Sequence, residues 1–306
     1  MNGTAARRAG LSLAVVTALT GVAACSSGAA TGSAENGKAA HKGTTHVSPI
    51  SALRSAERST DKADSARVES SVVMGTLMSM TGHGSLAWGD GLTGSLTLTY
   101  TGGTTAETMR SLGNTTMEAR YLPDAYYAHM GDAFARQAGG KHWIRYAYQD
   151  LADLAGGSGA YLKDQIQNTT PNQSVKLLLA SGDVRKTGQE KVRGVATTHY
   201  SGTVNLADLA GRTSDLTAAQ MESLKKQLTQ AGVETERVDI WVNADDLLVK
   251  KTEQADTANG RMTQTAYYSD YGVKVDVRKP PAGDTEDFKA LIGKQGGTGT
   301  GTGTGL

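Results

Sequence analysis

The sequence predicts an α+β fold dominated by one antiparallel meander. Three observations carry this. Glycine is abundant, at 38 of 306 residues, and punctuates runs rich in Thr, Val and Tyr, the pattern of strands joined by tight turns. Strand-like runs follow one another directly instead of alternating with helices, which disfavours a parallel doubly wound sheet. Leu96-Thr97-Leu98-Thr99-Tyr100 alternates strictly in polarity, so one face of the sheet is buried and the other wet.

The elements follow in chain order. Ser51 to Ala63 predicts a helix, because Leu53, Ala56, Thr60 and Ala63 recur at helical spacing while Arg54, Glu57 and Arg58 face away. A long strand is expected from Ala66 to Met80. Strands at 82–88 and 94–100 flank a turn at Gly89-Asp90-Gly91. Strands at 115–122 and 125–130 read as a hairpin around Pro123-Asp124, and 141–146 as a further strand. Helical patterns occupy 150–154, 160–167 and 171–180, the last with proline in its first turn. Gly156-Gly157-Ser158-Gly159 reads as a flexible connector. Strands resume at 183–187 and 192–204, with turns expected at Gly188 and Gly194. Leu216 to Ala231 gives the clearest helix: Thr217 and Gln220 form a capping box and Gly232 suits the C-cap. Strands at 234–242, 247–254, 261–269 and 273–278 close the chain. The total is about eleven strands.

The N-terminus carries a different message. Arg7 and Arg8 precede an apolar run, Leu11 to Ala24, which has the organisation of a secretory signal. At about 14 residues the run is too short to cross a ~30 Å hydrocarbon core as a helix. Cys25, the single cysteine, follows Val22-Ala23-Ala24 directly. That junction resembles the lipobox of bacterial lipoproteins. The resemblance implies cleavage of residues 1–24 and acylation of Cys25. Residues 25–47 are small and polar, the composition of a flexible tether. The Gly-Thr repeat that ends the chain cannot bury surface, so 293–306 is expected to be disordered. The folded body is expected at 48–292.

Composition excludes several function classes. With one cysteine there is neither an internal disulfide nor a thiolate metal site. The net charge is +1, from 31 basic and 30 acidic residues, so no nucleic-acid partner is expected. Membrane attachment therefore falls to the lipid, since two or more acyl chains anchor stably. The histidines lack metal-ligand spacing, and the acidic clusters at 245–246 and 284–287 lack calcium-loop spacing. The second cluster reads as a solvated segment. No catalytic residues, cofactor or metal are expected, and the chain is read as a non-enzymatic monomer outside the cytoplasm, lipid-anchored to the cell membrane.

Four stretches then carry a family resemblance: Ala66-Arg67-Val68-Glu69, His142-Trp143-Ile144-Arg145, Gly188 to Gly194 leading into Thr198-His199-Tyr200-Ser201-Gly202-Thr203-Val204, and Val238 to Asn243 with Leu248-Val249-Lys250 after it. With the lipobox, residues 50 to 279 resemble the LppX/LprG-type lipoproteins, related in fold to the LolA and LolB carriers. The resemblance implies a strongly curved antiparallel half-barrel with helices packed on the concave face and an apolar cavity between them. It further implies a ligand such as an acyl lipid, a glycolipid or a lipidated protein. The alternative is an envelope module with a filled interior and a protein partner.

Residues suited to such a cavity are Val72, Met74, Met78 and Met80, which share one strand parity. Methionine gives a soft apolar surface that accepts varied ligands. Leu96, Leu98, Val175, Leu178, Leu224 and Leu228 complete the candidate lining.

Overall fold

The computed structural model describes residues 48–111, 113–154, 170–205, 232–258 and 260–297. Cys25, the tether, the 156–159 connector and the predicted 160–167 and 216–231 helices, with Leu224 and Leu228, lie outside the described residues. So does most of the Gly-Thr tail.

Chain order begins with α1 (Pro49–Lys62), then β1 (Ser65–Met74), β2 (Met78–Ala87) and β3 (Thr93–Gly102). Next come α2 (Gly103–Ser111), β4 (Thr116–Tyr121), β5 (Ala125–His129), α3 (Asp132–Ala135), β6 (Trp143–Ala147) and α4 (Tyr148–Leu154). Then follow α5 (Pro171–Ser181), β7 (Arg185–Val192), β8 (Val195–Asn205), β9 (Thr235–Val242), β10 (Leu248–Thr257) and β11 (Gly260–Ser269). The chain ends in a short turn of 3-10 helix, β12 (Thr285–Asp287) and α6 (Phe288–Gly297).

All twelve strands form one curved, unclosed sheet in the order β12-β6-β5-β4-β3-β2-β1-β11-β10-β9-β8-β7. Every pairing is antiparallel except β12 on β6. The α+β half-barrel expected from the sequence is therefore the observed architecture, with twelve strands in place of about eleven.

Several local expectations are corrected. The predicted strand at 66–80 is a hairpin: the chain reverses at 75–77, where Gly75 has φ 47° and Leu77 N–H donates to Met74 O at 3.0 Å. Methionine and valine favour strand on both sides, so composition hid the turn. Gly188 lies inside β7 at a register shift, not in a turn. Residues 273–278 form no strand. The acidic segment at 284–287 is not freely solvated. It supplies β12, and its carboxylates pair with His142, Lys141 and Arg145. Helices α2 and α3 were not legible, because their Gly, Thr and Asp content favours turns.

The core lies on the inner face, beneath α1 and α5. Ser48 caps α1 by accepting from Ser51 N–H at 3.2 Å, with Pro49 at the first turn. Leu53, Ala56 and Thr60 form its buried stripe. Thr60 ties the helix to the sheet: its carbonyl accepts from Trp88 Nε1 at 3.3 Å and its hydroxyl from Leu248 N–H at 3.2 Å. Helix α5 ends at Gly182, left-handed at φ 73°, where glycine carries no steric penalty. It settles so closely on β8 that a Cβ at Gly202 would sit 2.6 Å from Leu178 Cδ1 and 2.2 Å from Asp183 O.

Under α5 the inner face holds buried charge. Lys251 Nζ donates to Ser174 Oγ at 2.8 Å and pairs with Glu253 at 3.2 Å, while Ser174 donates to the same Glu253 carboxylate. All three residues are buried. Glu236, also buried, is pushed up to about 8 by desolvation and then by Glu253, with Lys251 opposing. Lys251→Met alone leaves Glu253 buried without its cation and is expected to cost about 3–5 kcal/mol in chemical denaturation, whereas combining it with Glu253→Leu and Ser174→Ala is expected to be near neutral. The raised Glu236 value means its contribution is complete below about 4.5 and lost as pH rises through about 8. Glu236→Gln should therefore melt with the parent at pH ~5 and above it at pH ~8.

Candidate functional site

The inner face divides into two halves. Beneath α1 and α5, strands β8 to β11 are filled by Val204, Val238, Ile240, Leu248 and Ala266. Val175 and Leu178, proposed from the sequence as cavity lining, are fully enclosed in this contact.

The other half, β2 to β6, presents a wall. Registers place Met78, Met80, Leu86, Leu96, Leu98, Tyr100, Met117, Ala119, Tyr121, Tyr126, Ala128, Ile144 and Tyr146 on one face. The strand residues named from the sequence do gather here, and Leu96 and Leu98 are buried in the same core cluster as Val175 and Leu178. Met74 pairs with Met78 and Val72 with Met80 across the hairpin, so the shared parity survives although the single strand does not. Met74 is 2% exposed; Val72, Met78 and Met80 are half-buried. Met262, opposite Met74, extends the patch.

Glycine thins the wall. A Cβ on Gly84 would lie 2.0 Å from Ser95 O and 3.0 Å from Leu96 Cδ2, so the leucine lies across bare backbone. No described residue on the inward face of β2 to β6 is charged. The charges alternate onto the outer face, as Glu118, Arg120 and Arg145.

The aromatic end was missed in the sequence. Rings of Tyr121 and Tyr126 are 5.2 Å apart, Tyr126 and Tyr146 5.6 Å, and Tyr146 and Phe288 4.6 Å, making a row across β4, β5, β6 and α6. Tyr121, Tyr126 and Tyr146 keep accessible surface. Yet burial pushes the Tyr121 and Tyr146 phenols up to about 12, and that of Tyr126 well above its ordinary value. The three rings are thus half-buried, with poorly hydrated phenols. The hairpin around Pro123-Asp124 held the signal, since it sets Tyr121 opposite Tyr126. Their joining to Tyr146 and Phe288 needs long-range pairing.

A pocket of about 400 Å³ lies at the β7–β9 end of the sheet, between Glu190, Lys191, Thr197, Thr198 and Asn243. Among the described residues no group of three or more His, Cys, Asp or Glu side chains could hold a metal ion.

Comparison with known proteins places the chain. A Streptomyces coelicolor protein, provisionally described as a lipoprotein, is 51% identical over 310 residues, covering 97% of this chain and 100% of its own. The chain belongs to this protein's family. A second relative, an uncharacterized 31.2 kDa protein from the rplA-rplJ intergenic region of Streptomyces griseus, is 54% identical over 252 residues and 82% of each chain. No protein-family model matches. Among solved structures, the Mycobacterium tuberculosis lipoprotein LppX is similar at a TM-score of 0.46 and 13% identity, over 75% of this chain and 98% of its own. LprF from Mycobacterium bovis gives 0.44 and 13%, over 76% and 97%. LppX is also the lipoprotein named in the resemblance read from the sequence.

The aromatic row makes a spectroscopic prediction. Phenols held up by burial contribute stability that is constant below about 10 and lost as pH rises through about 12. Phenolate absorbance of the protein should rise in two steps. The later step should shrink in a Tyr121→Phe/Tyr146→Phe variant.

Proposed function

We propose that the protein is an extracytoplasmic lipoprotein, anchored through an acylated Cys25, that holds an apolar ligand against the β2–β6 wall. The observation that supports this best is the wall itself: a broad inward surface of Met, Leu and Tyr side chains, without charge, part of which remains accessible. An apolar recess with a few convergent polar groups is the usual form of a small-molecule site. The relative described as a lipoprotein and the position of Cys25 support the anchor.

The ligand would be an acyl lipid, a glycolipid or the acyl part of a lipidated protein. The mechanism is burial, with no bond made or broken. Withdrawing a sixteen-carbon chain from water yields on the order of 10 kcal/mol at ~25 cal/mol per Å², enough to hold a ligand against the entropic cost of binding. The reading is non-enzymatic.

One observation favours the second reading, a module that binds a protein partner. β7 is an end strand of the sheet, and seven of its eight residues are exposed. Such an edge can accept an added strand, although Arg185, Lys186 and Lys191 on it discourage indiscriminate pairing.

Two measurements test the proposal. Cys25→Ser is expected to move the protein from the membrane fraction into the medium; retention with the cells would contradict the anchor. Protein purified from its native membrane is expected to release acyl lipid on organic extraction. An empty chain that also fails to take up a fluorescent fatty acyl probe would overturn the carrier reading.

A further inference from the structure

A net charge of +1 hides where the charges lie. The two sides of α1 differ sharply. Leu53, Ala56 and Thr60 face the core. On the opposite side Arg54, Arg58 and Lys62 stand four residues apart and form one exposed row. The row begins at Ile50, which is 42% exposed. No ion pair or hydrogen bond joins any of these three cations to another residue. The acids of the same helix turn aside and are engaged. Glu57 lies 3.9 Å from Lys176 of α5, and Asp61 accepts from Asn172 Nδ2 at 2.8 Å. On the other flank Asp246 accepts from Ser55 Oγ at 2.7 Å.

A row of unpaired cations suits an anionic partner, and its place in the chain says which. Helix α1 packs on the inner face of the sheet, so the row looks out on the side away from the strands. Residues 26–47 join it to Cys25. For a coil of that small, polar composition the r.m.s. span is about 26 Å. Screening limits a surface charge to about 8 Å at physiological salt. A tether of that span returns α1 to this layer repeatedly, at a high effective concentration. Its sequence, with Lys38 and Lys42 against Glu35, does not oppose the approach. The apolar stripe of α1 is committed to the core, so the helix cannot sink among acyl chains as a free amphipathic helix does. It can lie on headgroups, with Ile50 at the tether end. Asp61 and Asp246 keep the positive strip narrow, so it suits orienting a chain already anchored and not recruiting one from solution.

We infer that Arg54, Arg58 and Lys62 are a docking strip for the anionic phospholipid headgroups of the bilayer that holds Cys25. Docking there turns the helix-bearing side of the half-barrel to the membrane and its outer face away. This rests on the acyl-anchor reading and adds an orientation to it.

The test uses the acylated protein, purified from its native membrane and reconstituted on phosphatidylcholine vesicles that carry a nitroxide-headgroup lipid as quencher. A fluorophore is attached at Ser51→Cys, beside the row, or at Thr203→Cys, exposed on the outer face. With about 30 mol% phosphatidylglycerol present, the label at position 51 is expected to be quenched at least about threefold more than the label at 203. The difference should collapse without phosphatidylglycerol, in about 0.5 M salt, where the screening length falls to about 4 Å, and in Arg54→Gln/Arg58→Gln/Lys62→Gln. Arg54→Lys/Arg58→Lys keeps the charge and should quench like the parent. All variants should melt close to the parent, since the three side chains are exposed and unpaired. All should also sediment with the vesicles, held by acyl chains. Equal quenching at both positions, or quenching at 51 that ignores phosphatidylglycerol and the three substitutions, would overturn the strip while leaving the anchor in place. Protein that does not stay with the vesicles would overturn both.

Discussion

The closure of α5 onto β8, β9 and β10 is the contact on which the rest of the molecule depends. It seals one half of a single continuous inner face and so leaves the other half to be a wall. The seal is tight because glycine at 202 lets the helix approach the backbone, and because Val175, Leu177 and Leu178 are fully enclosed there. It is also polar at its centre. The Ser174, Lys251 and Glu253 knot gives the helix one rotational setting in which every charge finds a partner. An apolar contact of the same area would tolerate sliding.

The far edge is managed by different means. After β11 the chain crosses the outer face in extended form, with Val277 packed against Leu122, Tyr127 and Trp143. Arg120 donates to the Arg278 carbonyl at 3.0 Å and stacks over Trp143 at 4.5 Å. The strap then turns round the edge as β12. There His142 is gripped by Asp284 at 2.6 Å, and that hydrogen bond raises the imidazole above its usual range. Lys141 and Arg145 take Glu286 and Asp287. A strand of three residues has few ladder bonds of its own, so side-chain pairs hold it. Covering β6 in this way removes an exposed sheet edge and brings Phe288 over to Tyr146, completing the aromatic row on the inner face.

The outer face shows why alternation had to be strict. Trp241 lies there, stacked on His199 at 4.2 Å and under Lys250 at 3.9 Å, with Asp239 holding His199 at 2.8 Å. One residue of slip in β9 would send Asp239 and Trp241 inward and Val238 and Ile240 out. Outward Asp239 and Trp241 against inward Val238 and Ile240 therefore fix the register of β9 on its neighbours.

Local pattern was enough for much of this. The amino-acid order alone determined the antiparallel meander, the stripe of α1, the proline-led start of α5 and the common face of Val72, Met74, Met78 and Met80, because alternation and capping act within a few residues. The lipobox-like junction at Cys25 is equally local. What only the tertiary structure decided was which apolar residues are sealed and which line a wall. Val175 and Leu178 read the same as Met78 and Met80 until α5 is placed, and only the methionines keep accessible surface. Likewise β12 looks like a solvated acidic run until Lys141, His142 and Arg145 arrive from some 140 residues away, and Tyr146 meets Phe288 only once that edge is closed. Burial and charge pairing are properties of contacts between distant segments, and no window along the chain contains both partners.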